Sequence, residues 1–221
     1  MILAAGRGER LRPITDHTPK PLIRVGTHRL IEHHIIALST QLFDRVVINV
    51  SHLGDQVVQK LGNGARYGIE IVYSKEEHPL ETGGGICQAL PLLRSETFLV
   101  INGDIFTDFQ FEKRILETRD NIHLIMVENP LHNPKGDFAL HRNRVTAHAS
   151  ANVGNFTFSG IGYYRRSVFS SMTAGKFPLA PIIRSEMESD AVSGKQHIGV
   201  WVDVGTKERL KQANEIAMNT A

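Results

Sequence analysis

The sequence predicts an α/β fold: a mostly parallel mixed sheet flanked by helices on both faces, with a small β-rich insertion. Two observations predict it. Short apolar runs alternate with helical periods as far as Val127, and beyond that point the pattern changes to a hairpin and longer strands. Met1 to Ala5 reads as a first strand entering a loop rich in Gly, Arg and Pro, and His28 to Phe43 carries Leu30, Ile31, Ile35, Leu38 and Leu42 at helical spacing. Arg45 to Val50 holds the buried-strand run Val46-Val47-Ile48. Leu53 to Leu61 reads as a helix closed by Gly62, and Ile69 to Tyr73 as the next strand. The Gly83-Gly84-Gly85 segment reads as a loop opening a short helix through Leu93. The strand Phe98 to Ile101 follows and is stopped by Asn102-Gly103-Asp104. A helix is expected over Asp108 to Thr118, then a strand over Ile122 to Val127. Phe138 to Leu140 and Val145 to Ala147 form the expected hairpin. Phe156 to Tyr164 and Ile198 to Val204 are the last expected strands, with helices at Leu179 to Glu188 and Lys207 to Met218. The arrangement is Rossmann-like and is expected to form a single domain over residues 1–221. Open sheets of this kind bind ligands at the C-terminal ends of their strands. Ala5 to Lys20, Asn102-Gly103-Asp104 and Asp203 all fall at such places.

Bulk properties exclude more than they assign. A formal charge of +2 is too mild to imply a nucleic-acid partner, and the Arg7, Arg10, Arg12 group lacks a basic stripe interleaved with aromatics. One cysteine, Cys87, precludes an intramolecular disulfide; no apolar run has membrane-span length, and no signal-peptide pattern opens the chain. A cytoplasmic protein, monomeric or a small homo-oligomer, without membrane or nucleic-acid partner, is the expectation. The eleven histidines include His33-His34 but no zinc-type spacing, and adjacent helix residues point apart. These histidines and Cys87 are read as structural.

Leu3-Ala4-Ala5-Gly6-Arg7-Gly8-Glu9-Arg10-Leu11-Arg12-Pro13 is the most informative segment. Glycines after a strand let backbone N–H groups approach phosphate oxygens, and arginines add charge-assisted donors. In Thr18-Pro19-Lys20-Pro21-Leu22 two prolines hold Lys20 in a stiff segment, so its ammonium loses less entropy on meeting an anion. The spacing matches neither the P-loop nor the dinucleotide glycine pattern. Taken alone, Gly6 and Gly8 are equally a simple turn; both segments together, directly after a strand, favour a phosphate site.

The spacing Leu3-Ala4-Ala5-Gly6-x-Gly8-x-Arg10-Leu11-x-Pro13-x-Thr15, followed by Pro19-Lys20-Pro21-Leu22, resembles the signature of the sugar-phosphate nucleotidyltransferases. Three later segments are similar to the bacterial N-acetylmuramate 1-phosphate uridylyltransferases of cell-wall (peptidoglycan) recycling: Pro79 to Ile86, Pro134-Lys135-Gly136-Asp137-Phe138, and Trp201-Val202-Asp203-Val204-Gly205-Thr206. The resemblance implies a nucleotide half of about residues 1–104 and a sugar-binding, β-rich half of about 105–221. It implies Mg²⁺ as cofactor, held by Asp104 and Asp203, with Asp203 also near the sugar. It implies Ala5, Gly6, Gly8 and Lys20 on the nucleotide, and Glu81, Thr82 and Gly83 along the base. It makes Asn102, Asp137 and Gly160 sugar-binding candidates, and Arg10, Lys20 and Asp104 the catalytic group.

Each candidate has a plainer reading. Asp104 suits an Asx turn, Gly83 a flexible loop, Asp137 a tight turn and Gly160 a strand bulge. Asp203 is the odd one, a carboxylate within an apolar strand, where lack of a partner is costly. Many hexose 1-phosphate relatives carry a Glu-Lys-Pro segment before the strand at Phe156. Here Ser150-Ala151-Asn152-Val153-Gly154-Asn155 has no lysine, which leaves the cation for the sugar phosphate unassigned. The expected function is Mg²⁺-dependent nucleotidyl transfer from a nucleoside triphosphate, UTP favoured, to a sugar 1-phosphate, N-acetylmuramate 1-phosphate favoured, releasing pyrophosphate. The alternatives are another pair (mannose 1-phosphate with GTP, glucose 1-phosphate with dTTP or UTP, phosphocholine with CTP) or a non-catalytic sugar-nucleotide sensor.

Overall fold

The computed structural model describes residues 1–147 and 154–219. Residues 150–153 of the lysine-free stretch lie outside the described residues. In chain order the strands are β1 Ile2–Leu3, β2 Arg24–Val25, β3 His28–Arg29, β4 Arg45–Val50, β5 Glu70–Lys75, β6 Thr97–Asn102, β7 Ile105–Thr107, β8 Ile122–Val127, β9 Phe138–His141, β10 Arg144–Thr146, β11 Asn155–Arg165, β12 Val192–Gln196 and β13 Trp201–Asp203. The helices are α1 Ile14–His17, α2 Leu30–Thr40, α3 Gly54–Leu61, α4 Glu81–Ala89, α5 Ala180–Glu188 and α6 Lys207–Asn219. No helix among the described residues is long and apolar enough to cross a membrane.

The chain divides into two compact units. The first gathers residues 1–79, 102–113 and 200 onward. Its sheet strands are parallel: β1 lies on β4 with Ile2 opposite Ile48, and β4 on β5 with Val47 opposite Val72. Beside them run two antiparallel ribbons, β2 with β3 and β7 with β13. The β2–β3 hairpin turns on Gly26 at φ +60, where Ala217 of α6 leaves no room for a Cβ. Val25, Leu30, Phe106, Val202, Val204 and Ala213 close one core beneath these ribbons.

The second unit holds residues 80–101 and 114–199. Here β11 is the hub, antiparallel to β6, β8 and β9, while β12 runs parallel to β8. The expected hairpin is β9 with β10, Val145 opposite Leu140. Parallel pairing therefore belongs mainly to the first unit. Strand β12, with Gly194 and Lys195 among its residues, has too weak an apolar pattern to be read from sequence.

Two expectations are corrected. No helix forms over Asp108 to Thr118. The Phe109 N–H is taken by the Thr107 hydroxyl and the Asp108 N–H by the Val200 carbonyl, and Phe106, Phe109 and Phe111 bury without helical spacing. The Gly83-Gly84-Gly85 segment is not a loop but lies inside α4. Glycine costs helix stability, and its use here is close packing. A Cβ on Gly83 meets the Phe177 ring at 2.6 Å, and one on Gly84 meets the Gly175 carbonyl oxygen at 2.1 Å. The Gly84 N–H donates to the Phe177 carbonyl at 3.1 Å.

Gly84→Ala is therefore expected to cost about 1–3 kcal/mol by overpacking, since backbone cannot retreat as a side chain can. In a thermal melt this reads as a fall of roughly 2–4 °C per kcal/mol; an unchanged Tm contradicts the assignment.

His34 supplies a pH prediction. Burial pushes its imidazole down to about 4, opposed by a hydrogen bond to the Ile105 carbonyl. The unfolded chain protonates near the ordinary value of 6.5, so stability is full above that pH and falls as pH drops from 6.5 toward 4. His34→Leu should flatten the dependence of Tm on pH across this window. Equal slopes in the two proteins would show that His34 does not drive the loss.

Candidate active site

In the first unit the loop after β1 is held at both ends. The Ala4 N–H donates to Asn49 Oδ1 at 2.7 Å, and Asn49 Nδ2 donates to Glu76 Oε1 at 2.7 Å. Asn49 and Glu76 are both buried, so this relay carries the end of β1 across to β4 and β5. It ends at a cleft of about 320 Å³ lined by Val50, Leu53, Asp55, Gln56, Lys75 and Glu76. At the loop's far end Gly8 adopts φ +66, and its carbonyl accepts the Thr15 hydroxyl at 2.9 Å. A side chain at Gly8 would collide with Thr15 and press on Lys20. Gly6 is different: it is exposed, and an added Cβ meets nothing within 4 Å. Packing within the protein gives Gly6 no reason to be glycine. Ala5 beside it is half-buried.

Lys20 opens a short 3₁₀ turn, Lys20–Leu22, between its two prolines and is buried. Its Nζ donates to Asp104 Oδ2 at 2.7 Å, with the lysine side chain 10% exposed and the aspartate 39%. Asp104 stands in the two-residue turn between β6 and β7, just after Asn102, which is half-buried at the end of β6. Backbone bonds fix that turn. The Gly103 N–H donates to the Leu3 carbonyl at 2.8 Å, and the Asp104 carbonyl accepts the Val204 N–H at 2.7 Å. A Cβ on Gly103 would stand 2.5 Å from the Leu3 oxygen, so glycine is required there.

Asp203 closes β13 opposite Ile105, which sets Asp104 and Asp203 at the same end of the β7–β13 ribbon. Its Oδ2 lies 3.2 Å from Nη2 of Arg209. Gly205 follows. A Cβ there would meet Arg209 Nη2 at 2.2 Å and Arg10 Nη2 at 2.9 Å, which places the exposed Arg10 guanidinium against the same backbone. The first unit thus brings together Gly8, Lys20, Asp104, Asp203 and Arg10 from segments far apart in sequence. Among the described residues no group of three or more His, Cys, Asp or Glu gathers as a metal cage. Asp104 in the turn before β7 and Asp203 at the end of its partner strand β13 nonetheless suit Mg²⁺, which takes one or two carboxylates and fills its octahedron with waters and phosphates.

The other candidates lie in the second unit. Glu81 begins α4 at φ +60, half-exposed, with Lys176 Nζ 3.6 Å away, and Thr82 follows it, half-buried. The side-chain space at Gly83 is filled by Phe177. Asp137 is pinned by its own surroundings: Oδ2 accepts the Phe158 N–H at 2.8 Å and Oδ1 accepts Asn133 Nδ2 at 3.1 Å. Gly160, at φ +80, is the bulge where the β11–β8 register shifts. Ser159 stabilises that bulge by donating to the Ile125 carbonyl at 2.7 Å. Cys87 is half-buried with Sγ 3.7 Å from the Met172 carbonyl, and His33 Nε2 bonds the Val25 carbonyl at 2.9 Å, as structural residues do.

Sequence reasoning missed Arg209 and the Asn49–Glu76 relay. Asn49 carried a signal, an amide within the apolar strand run Val46 to Val50. Arg209 carried none, since an arginine in the first turn of a polar helix is ordinary.

Comparison with known proteins shows the fold and the family. The pattern of the nucleotidyl transferase family matches residues 1–136. An N-acetylmuramate alpha-1-phosphate uridylyltransferase of Neisseria meningitidis is 48% identical over 98% of this chain and 97% of its own length. The inositol-1-phosphate CTP transferase of T. maritima superimposes with a TM-score of 0.76 at 19% identity, covering 98% of this chain and 93% of its own. HddC from Yersinia pseudotuberculosis superimposes with a TM-score of 0.76 at 20% identity, covering 97% of each chain. Because the family pattern covers more than half of the chain and the Neisseria relative is 48% identical over nearly its full length, the chain belongs to the nucleotidyl transferase family.

Proposed function

We propose that the protein transfers the uridylyl group of UTP to a sugar 1-phosphate, N-acetylmuramate 1-phosphate, with Mg²⁺, in the re-use of cell-wall sugars. The observation that carries the reading is the meeting of Lys20 Nζ and Asp104 Oδ2 at 2.7 Å, from motifs 84 residues apart. The choice of UTP and N-acetylmuramate is supported by the 48% identity with the Neisseria enzyme of that name.

In the reaction an oxygen of the sugar phosphate attacks the α-phosphorus of UTP. The bond from that phosphorus to the bridging oxygen of the β-phosphate breaks, and pyrophosphate leaves with the electron pair. A phosphomonoester has a second pKa of about 6 and is mostly dianionic at neutral pH, so no general base is needed. The protein's work is to hold two anions in line and to stabilise charge as it spreads to the leaving group. The open space at Gly6 admits a phosphate to the backbone N–H groups of Ala5, Gly6 and Gly8. Arg10 takes the β- and γ-phosphates, and Lys20, held by Asp104 and two prolines, serves the α-phosphate between the substrates. Mg²⁺ on Asp104 and Asp203 supplies charge neutralisation when bound. Glu81, Thr82 and Gly83 are assigned to the base. Asn102, Asp137, Gly160 and Asp203 are assigned to the sugar, Asp137 through lone pairs left beyond its two hydrogen bonds.

Lys20→Ala and Asp104→Ala are each expected to lower kcat by roughly 10²–10³ while circular dichroism stays that of the folded protein. Normal turnover in either variant removes the role assigned to that residue. The reaction itself is tested by pyrophosphate release from UTP, dTTP, GTP and CTP, each paired with N-acetylmuramate, N-acetylglucosamine, glucose and mannose 1-phosphates. Turnover confined to UTP with N-acetylmuramate 1-phosphate is the expected result. Another productive pair overturns the substrate assignment, and silence across the grid with nucleotide still bound overturns the catalytic one.

A further inference from the structure

Arg209 has no part in the chemistry above, yet it occupies a place that costs energy to fill. It lies in the first turn of α6 with its side chain 14% exposed. Its Nε and Nη2 are buried and have no hydrogen-bond partner among the described residues. The contact of Nη2 with Asp203 Oδ2 at 3.2 Å is an ion pair without hydrogen-bond geometry. Burying a guanidinium with donors unmatched is unfavourable unless something is gained from its position. The helix does not need it. Thr206 caps the first turn through its hydroxyl on the Arg209 backbone N–H at 3.3 Å, and α6 is anchored by Ala213, Ala217 and the Asn214 side chain, which accepts the Gly26 N–H at 2.9 Å.

Gly205 is what admits the group. A Cβ there would stand 2.2 Å from Arg209 Nη2, so only glycine leaves the path from α6 to Asp203 open. The guanidinium then lies against one carboxylate, with the like-charged Arg10 touching the same glycine. Such crowding of cations is unfavourable for folding and makes sense for a carboxylate whose orientation matters. Carboxylates that ligate metals are themselves anchored by outer partners, and loss of such a partner typically costs 10–100-fold in metal affinity or activity.

We propose that Arg209 is a positioning residue, whose ion pair sets the orientation of the Asp203 carboxylate toward a divalent cation. The proposal rests on the metal reading of Asp203 given above. Its sign is informative. If the arginine acted only through charge, removing it would tighten cation binding; if it orients the ligand, removing it weakens binding.

The test is Mn²⁺ binding to the protein alone, without nucleotide or turnover, read from the EPR signal of free Mn²⁺. Arg209→Met is expected to raise the Kd about tenfold or more, and Arg209→Lys to recover part of the loss. Gly205→Ala keeps every charge but displaces the guanidinium tip, and is expected to weaken binding as well. A Kd in Arg209→Met equal to or tighter than wild type overturns the proposal. Should Arg209→Met fail to fold, Gly205→Ala decides, and a wild-type Kd there overturns it. Asp203→Asn separates the two layers. If it binds Mn²⁺ like wild type, the metal reading of Asp203 falls and the proposal with it. If it loses binding while Arg209→Met does not, the proposal alone falls.

Discussion

Everything at the candidate site hangs on a two-residue turn, Gly103-Asp104, between β6 and β7. The Gly103 N–H is tied to the Leu3 carbonyl, where the glycine and arginine loop departs, and the Asp104 carbonyl is tied to Val204, just past the end of β13. Three segments distant in sequence are thus registered by main-chain bonds before any side chain acts. Backbone bonds of this kind are short and directional, so the Asp104 carboxylate is delivered to Lys20 with little freedom left to lose. The same turn tolerates no Cβ at position 103. Its geometry is therefore written into one glycine.

Around that turn the charges come in pairs. Asp104 faces Lys20 and Asp203 faces Arg209, each pair partly withdrawn from water. Partly buried ion pairs of this kind add little net stability, because desolvation offsets attraction. What they supply is a set of charged groups held in fixed places. Gly6 and Gly205 complement these pairs from opposite needs. Gly6 leaves space open, whereas Gly205 lets two guanidinium groups crowd one stretch of backbone.

The second unit solves a different problem, the holding of irregular backbone. Glycines in α4 admit the Phe177 ring and the Gly175 carbonyl, giving up helix propensity for close packing. Asp137 ties the start of β9 to β11 through the Phe158 N–H, and Thr157 joins Asn129 and Asn133 at 3.0 and 3.1 Å. Gly160 kinks β11 at its bulge. In each case polar or glycine residues that look like turn formers in sequence are used to fix an unusual chain path beside regular strands.

By itself the sequence determined the alternation of strands and helices, because burial imposes a period of two or of about 3.6 on apolar residues. It also placed Gly6, Gly8, Arg10 and the proline-bounded Lys20 in one continuous stretch after the first strand, where the structure has them in a loop and a short turn. It failed where individual hydrogen bonds, one local and one long-range, or a neighbouring strand outvote the apolar pattern. The residues after Asp108 lose their helix to the Thr107 hydroxyl and the Val200 carbonyl, and β12 forms on the strength of its neighbour β8. Only the tertiary structure decided that Lys20 meets Asp104, that Asn49 links β1 to Glu76, and that Arg209 reaches Asp203 past a glycine. The physical reason is common to all three. An ion pair or hydrogen bond acts over about 3 Å between residues whose separation along the chain carries no trace of their meeting.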